Sequence, residues 1–115
     1  ETAVVVAVEA GAGVRITDLS VQIDDRPVGY HYYSDQEFTA LTKGGMHRIY
    51  AGNLSSGQHT IKAVMSGTDP GGKEYQRTAT YTFTKSATRK IIEVKAADNP
   101  THTQGEIRFR EWETQ

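Results

Sequence analysis

The chain has 115 residues, no cysteine and a formal net charge of −1 at neutral pH. That length supports one domain with a core that needs no metal or disulfide, and the missing cysteine excludes disulfide frameworks, thiolate metal sites and cysteine nucleophiles. Near-balanced charge argues against a broad footprint for nucleic acid or anionic lipid, and no apolar run approaches the roughly 20 residues that a membrane-crossing helix requires.

Taken in order, residues 2–8 read as a strand, with Val4, Val6 and Val8 in phase, and Gly11-Ala12-Gly13 reads as a turn. Residues 14–24 form a second strand whose phase changes inside it. Val14 and Ile16 are even, whereas Leu19, Val21 and Ile23 are odd. A one-residue slip turns every side chain to the other face, so a bulge is expected near Thr17-Asp18. Asp24-Asp25-Arg26-Pro27 is the next turn, and residues 28–33 make a short aromatic strand.

Ser34-Asp35-Gln36-Glu37 fits a capping box, and Phe38 and Leu41 share a helical face. Gly44-Gly45 supplies the stop, so one short helix is expected near residues 35–43. Residues 46–51 are strand-like, and Gly52-Asn53 is read as a turn.

The strongest signal follows. His59, Ile61, Ala63 and Met65 alternate with Thr60, Lys62, Val64 and Ser66, then Gly67-Thr68-Asp69-Pro70-Gly71-Gly72 breaks the run. Beyond it Tyr75, Ala79, Tyr81 and Phe83 face one way, and Thr78, Thr80, Thr82 and Thr84 the other. Two alternating runs around a Gly/Pro/Asp loop are a β-hairpin. Residues 89–97 then place Ile92, Val94 and Ala96 in phase, and Asp98-Asn99-Pro100 ends that strand. In residues 105–112, Ile107 and Phe109 oppose Arg108, Arg110 and Trp112. Short strands at this spacing with one helix predict an all-β, antiparallel β-sandwich of seven or eight strands, a single domain over residues 1–115.

The stretch Leu54-x-x-Gly57-x-His59-x-Ile61-x-Ala63, followed by Asp69-Pro70-Gly71-Gly72, resembles a recurring piece of immunoglobulin-like and fibronectin type III-like modules in bacterial exported proteins. There a Leu closes one strand, a Gly turns the chain and an alternating strand follows. The likeness covers the middle third of the chain. It implies an immunoglobulin-like, extracytoplasmic, non-catalytic module of a cell-envelope or secreted protein, whether periplasmic, outer-membrane-associated or secreted. A cysteine-free composition suits an oxidising compartment, and a chain starting at Glu1 reads as a trimmed or processed piece of a longer exported one.

Chemistry-bearing patterns are sparse. His31, His47, His59 and His102 show no metal-binding spacing, and His59 has the phase of a core position. No Gly-x-Ser-x-Gly frames any serine. Asp24-Asp25 suits a turn, and Asp35 with Glu37 suits a helix start. Neither Gly44-Gly45 nor Gly71-Gly72 makes a phosphate loop. No catalytic residue, metal or cofactor is assigned, and the domain is read as non-enzymatic.

Two clusters remain as a partner surface. In Tyr30-His31-Tyr32-Tyr33, followed by Asp35, consecutive aromatics point to opposite faces. One set is therefore exposed unless the helix of Phe38 and Leu41 covers it. Arg108, Arg110 and Trp112 share a face, with Arg89, Lys90 and Lys95 as basic neighbours. The expected partner is another envelope protein or domain, bound through these residues or by strand addition at the edge formed by residues 105–112. The alternatives are carbohydrate stacked on Tyr32, Tyr33 and Trp112, with Asp35 or Arg110 bonding hydroxyls, or a purely structural spacer.

Overall fold

The computed structural model describes residues 2–11, 15–97 and 105–114. The expected turn at Ala12-Gly13, the strand end at Asp98-Asn99-Pro100, Val14 and His102 lie outside the described residues. Eight strands and one helix follow in the order β1 (Thr2–Ala10), β2 (Arg15–Ile23), β3 (Arg26–Tyr32), α1 (Asp35–Thr42), β4 (His47–Leu54), β5 (Gly57–Thr68), β6 (Glu74–Lys85), β7 (Arg89–Ala97) and β8 (Glu106–Thr114). They form two four-stranded sheets. Sheet A has the order β4-β1-β7-β8 and sheet B the order β3-β2-β5-β6, so the chain is an all-β sandwich with one short helix.

Neighbouring strands are antiparallel except β1 and β7, which run parallel in the middle of sheet A. A parallel pair needs a long crossover, and here the crossover is everything between them, including the whole of sheet B.

Alternation decides the core. Val4, Val6 and Val8 of β1, Ile61, Ala63 and Met65 of β5, and Ile92, Val94 and Ala96 of β7 are all buried between the sheets. In β2 both Ile16 and Leu19 are buried, which strict period two forbids, and the β2–β5 register slips between Ile16 and Asp18. The extra residue, Thr17, is the expected bulge. Gly67 lies opposite this irregularity. A Cβ there would sit 2.3 Å from the Arg15 carbonyl oxygen, so the close approach of β2 and β5 excludes any side chain.

Helix α1 starts as its sequence requires. The Ser34 hydroxyl accepts from the Glu37 amide, and the Glu37 carboxylate accepts from the Ser34 amide. Gly44, with φ +92°, follows the last turn, and Leu41 drives the helix into the core. Three boundaries differ from the sequence reading. The expected turn at Asp24-Asp25-Arg26-Pro27 shrinks to Asp24-Asp25, because Arg26 and Pro27 already pair with Ile23 and Gln22, and β5 runs on through Gly67 and Thr68, which pair with Tyr75 and Glu74. Gly52-Asn53 is not a turn, because β4 continues to Leu54 with Gly52 paired to Val4. The chain reverses at Ser55-Ser56 instead, and Gly57 takes φ +120°.

Candidate surface on the outer face of sheet B

β3 is an edge strand, and its register fixes the aromatic cluster. Leu19 pairs with His31, Ser20 with Tyr30 and Asp18 with Tyr32. Since Leu19 points into the core, His31 and then Tyr33 turn inward, while Tyr30 and Tyr32 turn to solvent. Tyr30 is 62% exposed and Tyr32 61%. Tyr33 is 1% exposed and belongs to the core rather than to any contact surface, which corrects its assignment from sequence. Helix α1 covers neither outward tyrosine, because its buried residue Leu41 packs at the inward side beside Tyr33.

The Tyr30 hydroxyl donates to the Asp18 Oδ2 at 3.0 Å, and this bond to a carboxylate pushes the phenol pKa up. Residues i and i+2 of a strand lie about 7 Å apart, so the two rings line the edge side by side. Across the sheet the Tyr32 row continues through Asp18, Ser66 and Gln76. That row borders a shallow depression of about 510 Å³ lined by Thr17, Asp18, Ser66, Glu74, Tyr75 and Gln76. The face therefore joins two large amphipathic rings to a basin of carboxylate, hydroxyl and amide groups.

The other candidates lie elsewhere. Asp35 sits at the helix start, bonded to Arg15 at 2.5 Å, while the Arg15 guanidinium covers the Phe38 ring. Arg108, Arg110 and Trp112 point out from β8 on the opposite side of the sandwich. Trp112 is half-buried beside Ile91, with the Arg110 guanidinium 5.4 Å from its ring centre. Arg108 is held by Glu106 at 2.8 Å. Arg110 pairs in register with Glu93, a buried carboxyl whose pKa is raised by burial and by the neighbouring Glu9. The structure thus brings Tyr30 and Tyr32 together and separates both from Trp112 by two sheets, which lie about 10 Å apart. Tyr32, Tyr33 and Trp112 therefore share no common surface.

Three polar clusters were not foreseen. At one end of the sandwich His59 bonds the Asp24 carboxylate through Nδ1 at 2.5 Å and the Ser55 carbonyl through Nε2 at 2.8 Å. The bond to Asp24 raises the His59 pKa and, in return, lowers that of Asp24, whose carboxylate also accepts from the Thr60 amide. The pair lines a cleft of about 280 Å³ with Arg26, Tyr50 and Asn53. At the other end His47 bonds the Tyr33 hydroxyl at 2.9 Å and packs at a tilt against His31, which bonds Glu37. Burial, then the nearby His31, pushes the His47 pKa down, and burial pushes that of Tyr33 up.

The third cluster removes Lys90 from the basic neighbours of Trp112, while Arg89 and Lys95 stay exposed. Lys90 is 3% exposed and faces inward, donating to the Thr84 carbonyl at 2.7 Å and Glu111 at 2.9 Å. Tyr81 also donates to Glu111, which lifts the phenol to about 12. Burial opposes charge on Glu111, but the bonds from Tyr81 and Lys90 outweigh it and hold its carboxyl low. Strand phase carried this signal, because Lys90 is in phase with Ile92, Val94 and Ala96.

Among the described residues, no group of three or more His, Asp or Glu side chains could hold a metal ion, and no helix is long and apolar enough to cross a membrane. No protein-family model matches the chain, and neither a curated protein nor a solved structure matches it significantly.

Proposed function

We propose that the domain is a non-catalytic binding module of a bacterial cell-envelope or secreted protein, working outside the cytoplasm, and that it holds another protein or domain through the outer face of sheet B. The observation that carries this reading is the pair Tyr30 and Tyr32, two large rings more than half exposed and adjacent on an edge strand. Such rings offer wide contact area with few rotatable bonds, and their polar tips suit a surface that is wet when free. The turn logic shared by residues 54–72 with immunoglobulin-like and fibronectin type III-like modules supports the extracytoplasmic setting.

The polar clusters favour binding over catalysis. His59 has the look of a general base beside a carboxylate, yet both ring nitrogens are occupied, by Asp24 and by a backbone carbonyl. A base must offer a free lone pair to the proton that it takes.

A second reading, carbohydrate binding, is favoured by the basin beside Tyr32. Asp18, Glu74 and Gln76 could accept from or donate to sugar hydroxyls while the tyrosines stack on ring faces. The test immobilises the domain and measures retention of two envelope fractions, deglycosylated protein and protease-treated polysaccharide. Retained protein, lost in Y30S/Y32S and kept in W112S, supports the proposal. Retained polysaccharide with the same variant pattern replaces it with the second reading. Equal retention by the wild type and Y30S/Y32S refutes both.

A further inference from the structure

A sandwich of two open sheets has four edge strands, and each exposes unpaired backbone groups that invite another chain. Three of the four edges here carry protection. β3 contains Pro27, and its pairing with β2 is broken by a register shift between Val21 and Gln22. β4 is shifted against β1 between Val6 and Ala7 and carries His47 and Arg48. β8 carries Glu106, Arg108, Arg110, Glu111 and Glu113 within nine residues.

β6 has none of these devices along residues 78–84, Thr-Ala-Thr-Tyr-Thr-Phe-Thr. The segment has no charge, no proline and no glycine, and its pairing with β5 runs through all twelve residues without a shift. Among the described residues, no backbone hydrogen bond joins this segment to a strand on its outer side; at its end the Thr84 carbonyl accepts from the Lys90 ammonium, so the open edge runs from Thr78 to Thr82. β-branched and aromatic residues make it a strong strand former.

We infer that the β6 edge pairs antiparallel with the β6 edge of a second copy of this chain, about a two-fold axis at Thr80. The segment is complementary to itself in that register. Thr80 meets Thr80, Thr78 meets Thr82 and Gln76 meets Thr84 on the outer face, and Ala79 meets Tyr81 on the inner one. Threonine pairs facing each other across strands are favourable, and no like charges are opposed. Like side chains stay on like faces, so two four-stranded sheets merge into one of eight. The contact is isologous and closes at two copies. Its small area makes it a weak dimer that fills at high concentration. The Tyr30–Tyr32 strip lies on the far edge of sheet B, so pairing leaves that surface free.

The experiment is sedimentation velocity of the purified domain from micromolar to about 1 mM, the range where small interfaces associate, with the variants T80K, T80C and S20C. Thr80 is exposed, and T80K is checked for an unchanged thermal transition. A lysine at the axis faces its own copy and should weaken dimerisation at least tenfold. The chain has no other thiol, so under mild oxidation T80C should form a covalent dimer, because directly opposed Cβ atoms lie within about 5.5 Å. S20C, on the interior strand β2 of the same face, should not. A monomer at every concentration, equal dimerisation by T80K, T80C cross-linking no better than S20C, or growth beyond two copies would each overturn the inference.

Discussion

Replacing His59 by alanine tests the corner in which one side chain ties two turns together. His59 is nearly covered, with 11% of its side chain exposed, and it joins Asp24 in the β2–β3 turn to the carbonyl of Ser55 in the β4–β5 turn. A ring that donates from both nitrogens is an imidazolium, since the neutral form keeps one lone pair, which would then face an acceptor. Charge-assisted hydrogen bonds contribute about 1.5–3 kcal/mol. Asp24 is 46% exposed, and solvent screening lowers the Asp24–His59 coupling to about 1 kcal/mol.

The sign with pH follows from the two shifts. The folded state raises the His59 pKa, so its contribution is fully present below the unfolded value, about 6.5, and is lost as pH rises through the folded value. Asp24 is lowered from 3.8, so its contribution is present above that value and is lost as pH falls through the folded one. The pair therefore stabilises most between about pH 4 and 6.5. Urea denaturation of wild type, H59A, D24A and the double variant at pH 5.5 and pH 9 measures the coupling directly. The coupling should be about 1 kcal/mol at pH 5.5 and smaller at pH 9, where a neutral ring keeps one donor and loses the ion pair. Equal coupling at both would refute the imidazolium assignment.

Further variants test the frame. I61A empties a fully buried site on β5 and should cost about 3 kcal/mol by urea denaturation, with an unchanged m-value. K90A removes the counter-ion of Glu111, which keeps only the Tyr81 hydroxyl among the described residues, and the donor to the Thr84 carbonyl, and should cost about 3 kcal/mol. K95A, removing a half-exposed partner of Glu9, should cost under about 0.5 kcal/mol, and similar losses in the two would contradict the burial of Lys90. S34A removes the helix cap and should cost about 1 kcal/mol, with the loss of amide protection confined first to α1.

Much of this architecture was legible in the sequence because period two is a direct report of burial. The break between Ile16 and Leu19 located a bulge, and Ser34 with Glu37 located the helix start. Gly52-Asn53 misled because its turn chemistry is local, while pairing to Val4 in β1 is not. The candidate surface was half legible. Alternation required either Tyr30 with Tyr32 or His31 with Tyr33 to face out, but the choice depended on the register of β3 against β2. That Trp112 would lie on the opposite face from Tyr32 depended on which strands share a sheet, and nothing local encodes this. Asp24 and His59 are 35 residues apart, and Asp18 and Gln76 meet only through β5. Lys90 was legible in principle, since its phase was that of the core, but its charge argued the other way, and the carboxylate that compensates it, Glu111, is 21 residues away on β8.

The central claim is that the outer face of sheet B, not that of sheet A, is the contact surface. Two-dimensional amide spectra of the labelled domain, titrated with deglycosylated envelope protein and separately with protease-treated polysaccharide, test it most directly. The account predicts that protein alone shifts the amides of Tyr30, Tyr32, Asp18 and Ser66, and leaves Arg108, Arg110 and Trp112 in place. Shifts centred on Arg108–Trp112, or none with either fraction, would contradict it.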